Sequence, residues 1–256
     1  MNGFVVFSRK ELLEFVRGWR LWVLAAVLGV FALTGPITAR YLREILGAAL
    51  GDQGGGLPLP PMPDPTYVDA YLQWTKNLGD LVLILVVVLF AGVICGECRQ
   101  GTAVLMLTKP LRRSTFVLAK AVTAMAVVAG SVAAATALTW LVTRLLFPVA
   151  PVGPLVAAVG GWLLLAGVFI AVTVLASAWV QASGAAAGIG LAAYLLLTVA
   201  GVWAPLRRVT PAGLRDVPGA LAAGQPVEAA GPALAAVASI AVLLLLAVWV
   251  FDRREL

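Results

Sequence analysis

Six long apolar stretches constrain this chain more than any other feature of its sequence. They are Leu21–Ala39, Leu81–Ile94, Phe116–Phe147, Leu155–Val180, Ala185–Ala204 and Ala233–Phe251. The second is the shortest, and the preceding segment Tyr71–Asp80 lengthens it. At about 1.5 Å per residue in a helix, such stretches can cross a hydrocarbon core of about 30 Å. The sequence therefore predicts an all-α integral membrane protein with six transmembrane helices.

The composition excludes several functional classes. Hydrophobic residues make up 62% of the chain and charged residues only 12%, whereas soluble domains carry about 25% charged residues. The chain has no His, which removes HExxH zinc proteases, Ser–His hydrolases and imidazole-ligated haem. It also has no GxxxxGK[ST] motif for a nucleotide phosphate. We expect one membrane domain over residues 1–256, without enzymatic activity or its own cofactor or metal.

The basic residues predict the orientation. With six spans both termini share one side, and that side receives eleven of the 18 Lys and Arg residues. The positive-inside rule places it in the cytoplasm, so we expect a multi-pass protein of the cell membrane. The net charge of +6 is too dispersed for nucleic acid and suits contact with anionic lipid. The first span follows basic residues and has no cleavage site, which favours an anchor over a secretory signal.

Two long segments are expected outside the cell. The first, residues 40–79, contains the Gly- and Pro-rich run Gly51–Pro65 and is predicted to be an exposed loop. The second, residues 205–232, is also Pro-rich but holds short apolar pieces that can form brief interfacial helices. The span cores lack Asp, Glu, Lys and Arg, so the sequence offers no ion relay to drive transport.

Residues 1–20 have the pattern of an amphipathic helix before the first span. At 100° per residue, one arc is apolar and the opposite arc is charged. The apolar arc carries Val5, Leu12, Phe15, Val16 and Trp19, and the charged arc carries Lys10, Glu11, Glu14 and Arg17. This pattern predicts a helix in the membrane interface, seated by Leu12, Phe15 and Val16. The alternative is a basic flank that only orients the first span.

The segment 95–115 between spans two and three has a more specific pattern. Glu97 marks the exit from lipid, and residues 102–107 can form about two helical turns before Pro110 ends them. This predicts a short cytoplasmic helix held at both ends by long rigid helices. The alternative is an ordinary charged turn, with Glu97 in headgroup water and Lys120 reaching out to the interface from the start of span three.

This segment resembles the loop of type-2 ABC exporter permeases, which typically has the form E-x-x-x-G-T-x-x-x-L-x-x-x-P-(V/L)-x-R followed by an apolar run and Lys. The matching residues are Glu97, Gly101, Thr102, Leu107, Pro110, Leu111, Arg113 and Lys120. The sequence Arg9-Lys10-Glu11-Leu12 and the closing segment Phe251–Leu256 are similar to that family too. Arg112 departs from the small or polar residue that is common there.

The resemblance implies an ATP-driven exporter. In such permeases the pre-span helix and the loop helix contact a separate ATPase subunit, which binds ATP and magnesium, and two permease copies pair. Coupling residues carried over are Glu97, Gly101, Thr102, Pro110 and Arg113. An interior containing Trp140, Trp162 and Trp179 would suit a hydrophobic or amphiphilic cargo. The alternative function is a non-transporting membrane scaffold that recruits or assembles a partner protein.

Overall fold

The regular structure of the protein is helical. The computed structural model describes residues 3–51, 64–102 and 112–254, and these residues contain helices and no strand. Six of the helical segments are long and apolar enough to span a membrane. They are Trp19–Ile45, Tyr67–Arg99, Arg113–Leu146, Val152–Trp179, Ser183–Val202 and Ala230–Asp252. The prediction of an all-α membrane protein with six spans is confirmed.

The first two helices of the chain are α1 (Gly3–Arg17) and α2 (Trp19–Gly51), separated only by Gly18. Helix α2 contains the first span and continues well beyond the predicted end at Ala39. The extension is rich in Leu, Ala and Arg, which favour helix. The predicted outer loop 40–79 is therefore partly helical, and most of its Gly- and Pro-rich run lies outside the described residues.

The second span is assembled from several pieces. It begins with α3 (Tyr67–Asn77), passes through a π-helical turn (Leu78–Val82) and continues as α4 (Leu83–Phe90) and α5 (Cys95–Arg99). A turn interrupts the helix between α4 and α5. Its backbone N–H groups at Ile94 and Cys95 donate to Ser177 Oγ of the fourth span, each at 3.0 Å. This hydroxyl satisfies two donors that would otherwise be buried without partners.

The remaining spans are continuous helices. They are α6 (Arg113–Leu146), α7 (Val152–Trp179), α8 (Ser183–Val202) and α11 (Ala230–Asp252). Between the fifth and sixth spans lie α9 (Ala204–Val209), a 3₁₀ turn (Pro211–Arg215) and α10 (Val217–Ala222). Each of these short elements has Pro in its first turn, where the missing N–H costs least. The brief helices expected in residues 205–232 are present.

Spans two, three and four form the centre of the bundle, since about half of their apolar windows is buried. Spans one, five and six leave most of their apolar surface exposed. Fully buried large side chains include Trp74, Trp162 and Phe169. In water, so much exposed apolar surface would be strongly unfavourable, and in a bilayer it contacts lipid.

The alternating spans give the bundle two ends. The first, called here the terminal end, contains α1, the exit of the second span and the last residues of α11. At this end, Arg254 Nη1 donates to Ala178 O at 2.9 Å. The other, the distal end, holds the short elements between spans five and six, and Tyr71 OH donates there to Pro151 O at 3.1 Å.

Candidate functional site

Helix α1 packs across the terminal end of the bundle through aromatic contacts. Phe7 is buried, with its ring centroid 5.5 Å from that of Phe116 in the third span. Two turns later, Phe15 stacks on Phe90 of the second span at 5.0 Å. Glu11 lies midway between them, one turn from each, so it shares the face that contacts the bundle.

A buried ion-pair cluster lies beneath this helix. Lys120 Nζ of the third span is 2.7 Å from Glu11 Oε2 and 2.5 Å from Glu97 Oε1. Lys120 is only 1% exposed and Glu11 only 8% exposed. The three side chains join α1, the exit of the second span and the start of the third span. We refer to Glu11, Glu97 and Lys120 as the charge cluster.

The charge cluster corrects one expectation and argues against one alternative. The helical wheel places Glu11 on the solvent-facing arc, yet the side chain is buried because Lys120 lies beside it. Lys120 does not extend towards the interface, because two carboxylates bind its ammonium inside the protein. Its Nζ also lies 5.0 Å from the ring centroid of Phe116 and 5.9 Å from that of Phe7. These aromatic rings add cation–π attraction in a water-poor site.

The cluster forms one wall of a cleft of about 310 Å³ at the terminal end, which Glu14, Arg20 and Gln100 also line. Two buried carboxylate oxygens, Glu11 Oε1 and Glu97 Oε2, have no hydrogen-bond partner among the described residues. Carboxylate oxygens of Glu11, Glu14 and Glu97 lie within 4.8 Å of one another, a spacing suited to a cation. The Lys120 ammonium already provides a positive charge to two of them.

Lys10 completes the electrostatics of α1. Its Nζ is 2.9 Å from Glu14 Oε1 and 3.5 Å from Glu11 Oε1. Burial alone lowers the pKa of Lys10, but the hydrogen bond to Glu14 and the charge of Glu11 outweigh it, so the pKa lies above its ordinary value. Lys10 therefore stays charged at neutral pH and shields the outer side of the cluster.

The described start of the predicted coupling segment is a defined helix end. Gly101 has a φ of 71°, the left-handed conformation that glycine adopts readily after a helix. Thr102 Oγ1 donates to Glu97 O at 3.2 Å, which fixes the turn to the end of the second span. Most of the predicted helix over residues 102–107, and Pro110, lie outside the described residues.

Arg113 binds the far end of the chain. Its Nη1 donates to the backbone oxygens of Phe251, Asp252 and Arg254 at 3.2, 3.0 and 2.8 Å. A cation at a helix C-terminus satisfies free carbonyl groups and interacts favourably with the helix dipole. Arg113 thus connects the base of the third span to the end of the sixth.

The three residues expected to seat α1 divide into two groups. Phe15 points to the bundle, whereas Leu12 and Val16 are exposed apolar side chains. Val5 and Trp19 are exposed as well. An apolar surface of this kind on a helix beside six spans suits contact with acyl chains.

A second polar cluster lies at the distal end. Arg215 of the 3₁₀ turn contacts Asp80 of the π-helical turn, with Nη2 to Oδ1 at 3.2 Å. Its guanidinium also donates to Tyr194 OH at 3.4 Å and to Thr198, and it lies 5.0 Å from the centre of the Tyr194 ring. Sequence reasoning did not pair these residues, since Asp80 and Arg215 are 135 positions apart.

The fold and the placement of these residues define a multi-pass α-helical membrane protein with a buried charge cluster at the terminal end. Within that class, the chain belongs to the family described as Protein of unknown function (DUF2705), whose model matches residues 60–256. It is also similar to the uncharacterized transmembrane protein YxlG of Bacillus subtilis (strain 168). The two are 27% identical over 209 residues, or 78% of this chain and 77% of that protein. The family match includes Glu97 and Lys120 but not Glu11.

Proposed function

We propose that the protein is the transmembrane permease subunit of an ATP-driven ABC exporter in the cell membrane, with both termini in the cytoplasm. It would form the translocation path with a second permease copy, and a separate ATPase subunit would bind ATP and magnesium. The observation that carries the proposal is the charge cluster. Through Lys120 at the start of span three, it joins α1 to Glu97 in the segment 95–115. The resemblance implies that the pre-span helix and the loop helix of this segment contact the ATPase.

The cluster suits mechanical coupling. A displacement of the segment 95–115 would move Glu97, and Lys120 would transmit that displacement to the third span and to α1. Arg113 would carry the same displacement to the end of the sixth span through its three backbone hydrogen bonds. Packed and hydrogen-bonded elements respond as units with discrete arrangements, which is what an ATP-driven switch requires.

The sequence of the chain also supports an energy source on a separate ATPase subunit. Residues 1–256 contain no phosphate-binding P-loop motif, and the six spans make up most of them. The exposed apolar surface of α1 agrees with an interfacial helix whose position an ATPase could change. These features favour a membrane subunit that depends on a soluble partner.

The first experiment is a mild-detergent pull-down of the tagged chain from its native membranes, followed by mass spectrometry. Wild type should retain a soluble P-loop ATPase. Recovery of the chain alone, or with partners that are not ATPases, would contradict the permease proposal and favour the scaffold.

The second experiment measures ATPase activity of the complex reconstituted in lipid nanodiscs. Glu97→Gln keeps the size of the side chain but removes its charge, so it should reduce the activity while the protein remains folded. Glu44→Gln changes an exposed carboxylate outside the cluster and is the matched control. Equal activity of the two variants would refute a coupling role for Glu97.

A further inference from the structure

A polar cleft at the distal end is not used by the proposed coupling. It has a volume of about 400 Å³ and lies between the second span, the fourth span and the short elements before the sixth. Its charged lining residues are Lys76, Asp80, Arg215 and Asp216, and Trp162 forms part of its wall. Lys76 and Asp80 precede the strictly apolar part of the second span, which places the cleft at the depth of lipid headgroups.

The ion pairs within the cleft leave one charge without a counterion. Asp80 is paired with Arg215, and Asp216 Oδ2 is 3.2 Å from Arg207 Nη1. Lys76 has no ion-pair or hydrogen-bond partner among the residues that the structure describes. The uncompensated charge at this site is therefore a positive one.

Trp162, which lines the same cleft, carries a buried hydrogen-bond donor. Trp162 is fully buried, and its Nε1–H has no hydrogen-bond partner in the described part of the chain. Buried indole N–H groups are normally paired, and an unpaired one calls for an explanation. An ammonium group and an indole N–H are both donors, so the group that satisfies them must be an acceptor, preferably an anion.

An apolar groove adjoins the cleft. It has about the same volume and lies between α2 and α3. Most of its accessible lining is apolar and includes Leu42, Pro65 and Leu72, and the charged residues Arg43 and Asp69 line it as well. Both spaces share Leu72 and Lys76. An elongated molecule can therefore place a charged group beside Lys76 and Trp162 and an apolar chain along the groove.

We propose that the distal cleft and its groove bind an amphiphile that carries a single anionic group, a carboxylate or a phosphate, on an apolar chain. Lys76 and Trp162 bind the anionic group, and Leu72 lies between it and the chain. Such a molecule is either a lipid of the membrane or an amphiphile that reaches the protein from elsewhere. The proposal does not depend on an ATPase partner.

The test is native mass spectrometry of the full chain in maltoside detergent, titrated with dodecyl phosphate. We expect one dodecyl phosphate per chain and much weaker binding of dodecyltrimethylammonium, which has the same chain and the opposite charge. Lys76→Gln should weaken binding about tenfold, the effect of losing one charge-assisted hydrogen bond. Trp162→Phe removes the indole N–H but keeps an aromatic ring in the buried position, and it should weaken binding about fivefold.

The controls are Arg208→Gln and Trp203→Phe, which change an exposed basic residue and an exposed Trp at the same end of the bundle. Both should bind dodecyl phosphate like wild type. Thermal unfolding identifies any variant that fails to fold. If Lys76→Gln or Trp162→Phe fails to fold, the binding affinity of the other variant decides the test. Equal binding of the two dodecyl probes, or unchanged affinity in both cleft variants, would overturn the proposal.

Lipid retained on the protein after purification from its membranes distinguishes a membrane lipid from an amphiphile that arrives from elsewhere. A retained anionic phospholipid that is lost in Lys76→Gln would identify a membrane lipid as the ligand. Binding of added dodecyl phosphate without a retained lipid, and with the same dependence on Lys76, would identify an amphiphile that arrives from elsewhere. Both results support the site.

Discussion

Replacing Lys120 with Met should strongly destabilise the protein, because it leaves two carboxylates buried without their cation. At 2.5–2.7 Å and an effective dielectric constant of about 20, each contact of Lys120 contributes roughly 6 kcal/mol of attraction. Desolvation of the three charges offsets much of this gain. Removing one partner of a buried ion pair typically costs about 3–5 kcal/mol, and a Tm decrease on the order of 10 °C should result.

The triple variant Lys120→Met, Glu11→Met, Glu97→Met should recover most of the lost stability. Replacing all members of a buried ionic cluster with apolar side chains of similar volume is often nearly neutral. Unfolding in detergent can be followed with a thiol-reactive dye, because Cys95 is a buried free thiol. Lys76→Met changes an exposed lysine and should shift the free energy of unfolding by less than about 0.5 kcal/mol. If Lys120→Met unfolds at the wild-type temperature, Lys120 does not bind its two carboxylates in a water-poor site.

Three further substitutions test the packing of the bundle. Gly190→Ala should destabilise the protein by about 1–3 kcal/mol, because the new Cβ would lie 2.5 Å from Cγ1 of Val87. Gly188→Ala is the control, because its Cβ would meet open space and should leave the stability unchanged. Equal Tm values of the two variants would refute the close approach of Gly190 to Val87. Ser177→Ala should lower the free energy of unfolding, measured with denaturant, by about 1–3 kcal/mol, since two buried N–H groups lose their acceptor. An unchanged free energy of unfolding would contradict those hydrogen bonds. Arg113→Met should increase hydrogen exchange at the end of the sixth span, and unchanged protection would show that Arg113 does not cap it.

Hydropathy alone predicts the six spans, because each is a local property of about 20 consecutive residues. The extension of α2 to Gly51 was missed, since the loop was inferred from the Gly- and Pro-rich run that follows it. The brief helices after the fifth span follow from the short apolar pieces of residues 205–232. Local patterns thus account for the fold class and for most helix boundaries.

The candidate site depends on contacts between distant parts of the chain. Glu97 and Lys120 are recognised in the sequence because they belong to the motif of the segment between spans two and three. Glu11 is 109 positions from Lys120, and a helical wheel of α1 contains no information about that partner. Arg113 likewise binds carbonyl groups about 140 positions away. Only the packing of the spans decides which charged residue becomes buried and which remains in the interface.

The two ends of the bundle should respond differently to ionic strength. The Lys120 side chain is only 1% exposed, so the attraction to its carboxylates is screened much less by salt. At the distal end, the side chain of Asp80 is 48% exposed, and its attraction to Arg215 is screened as salt increases. Added salt should therefore loosen the short elements before the sixth span while α1 remains attached.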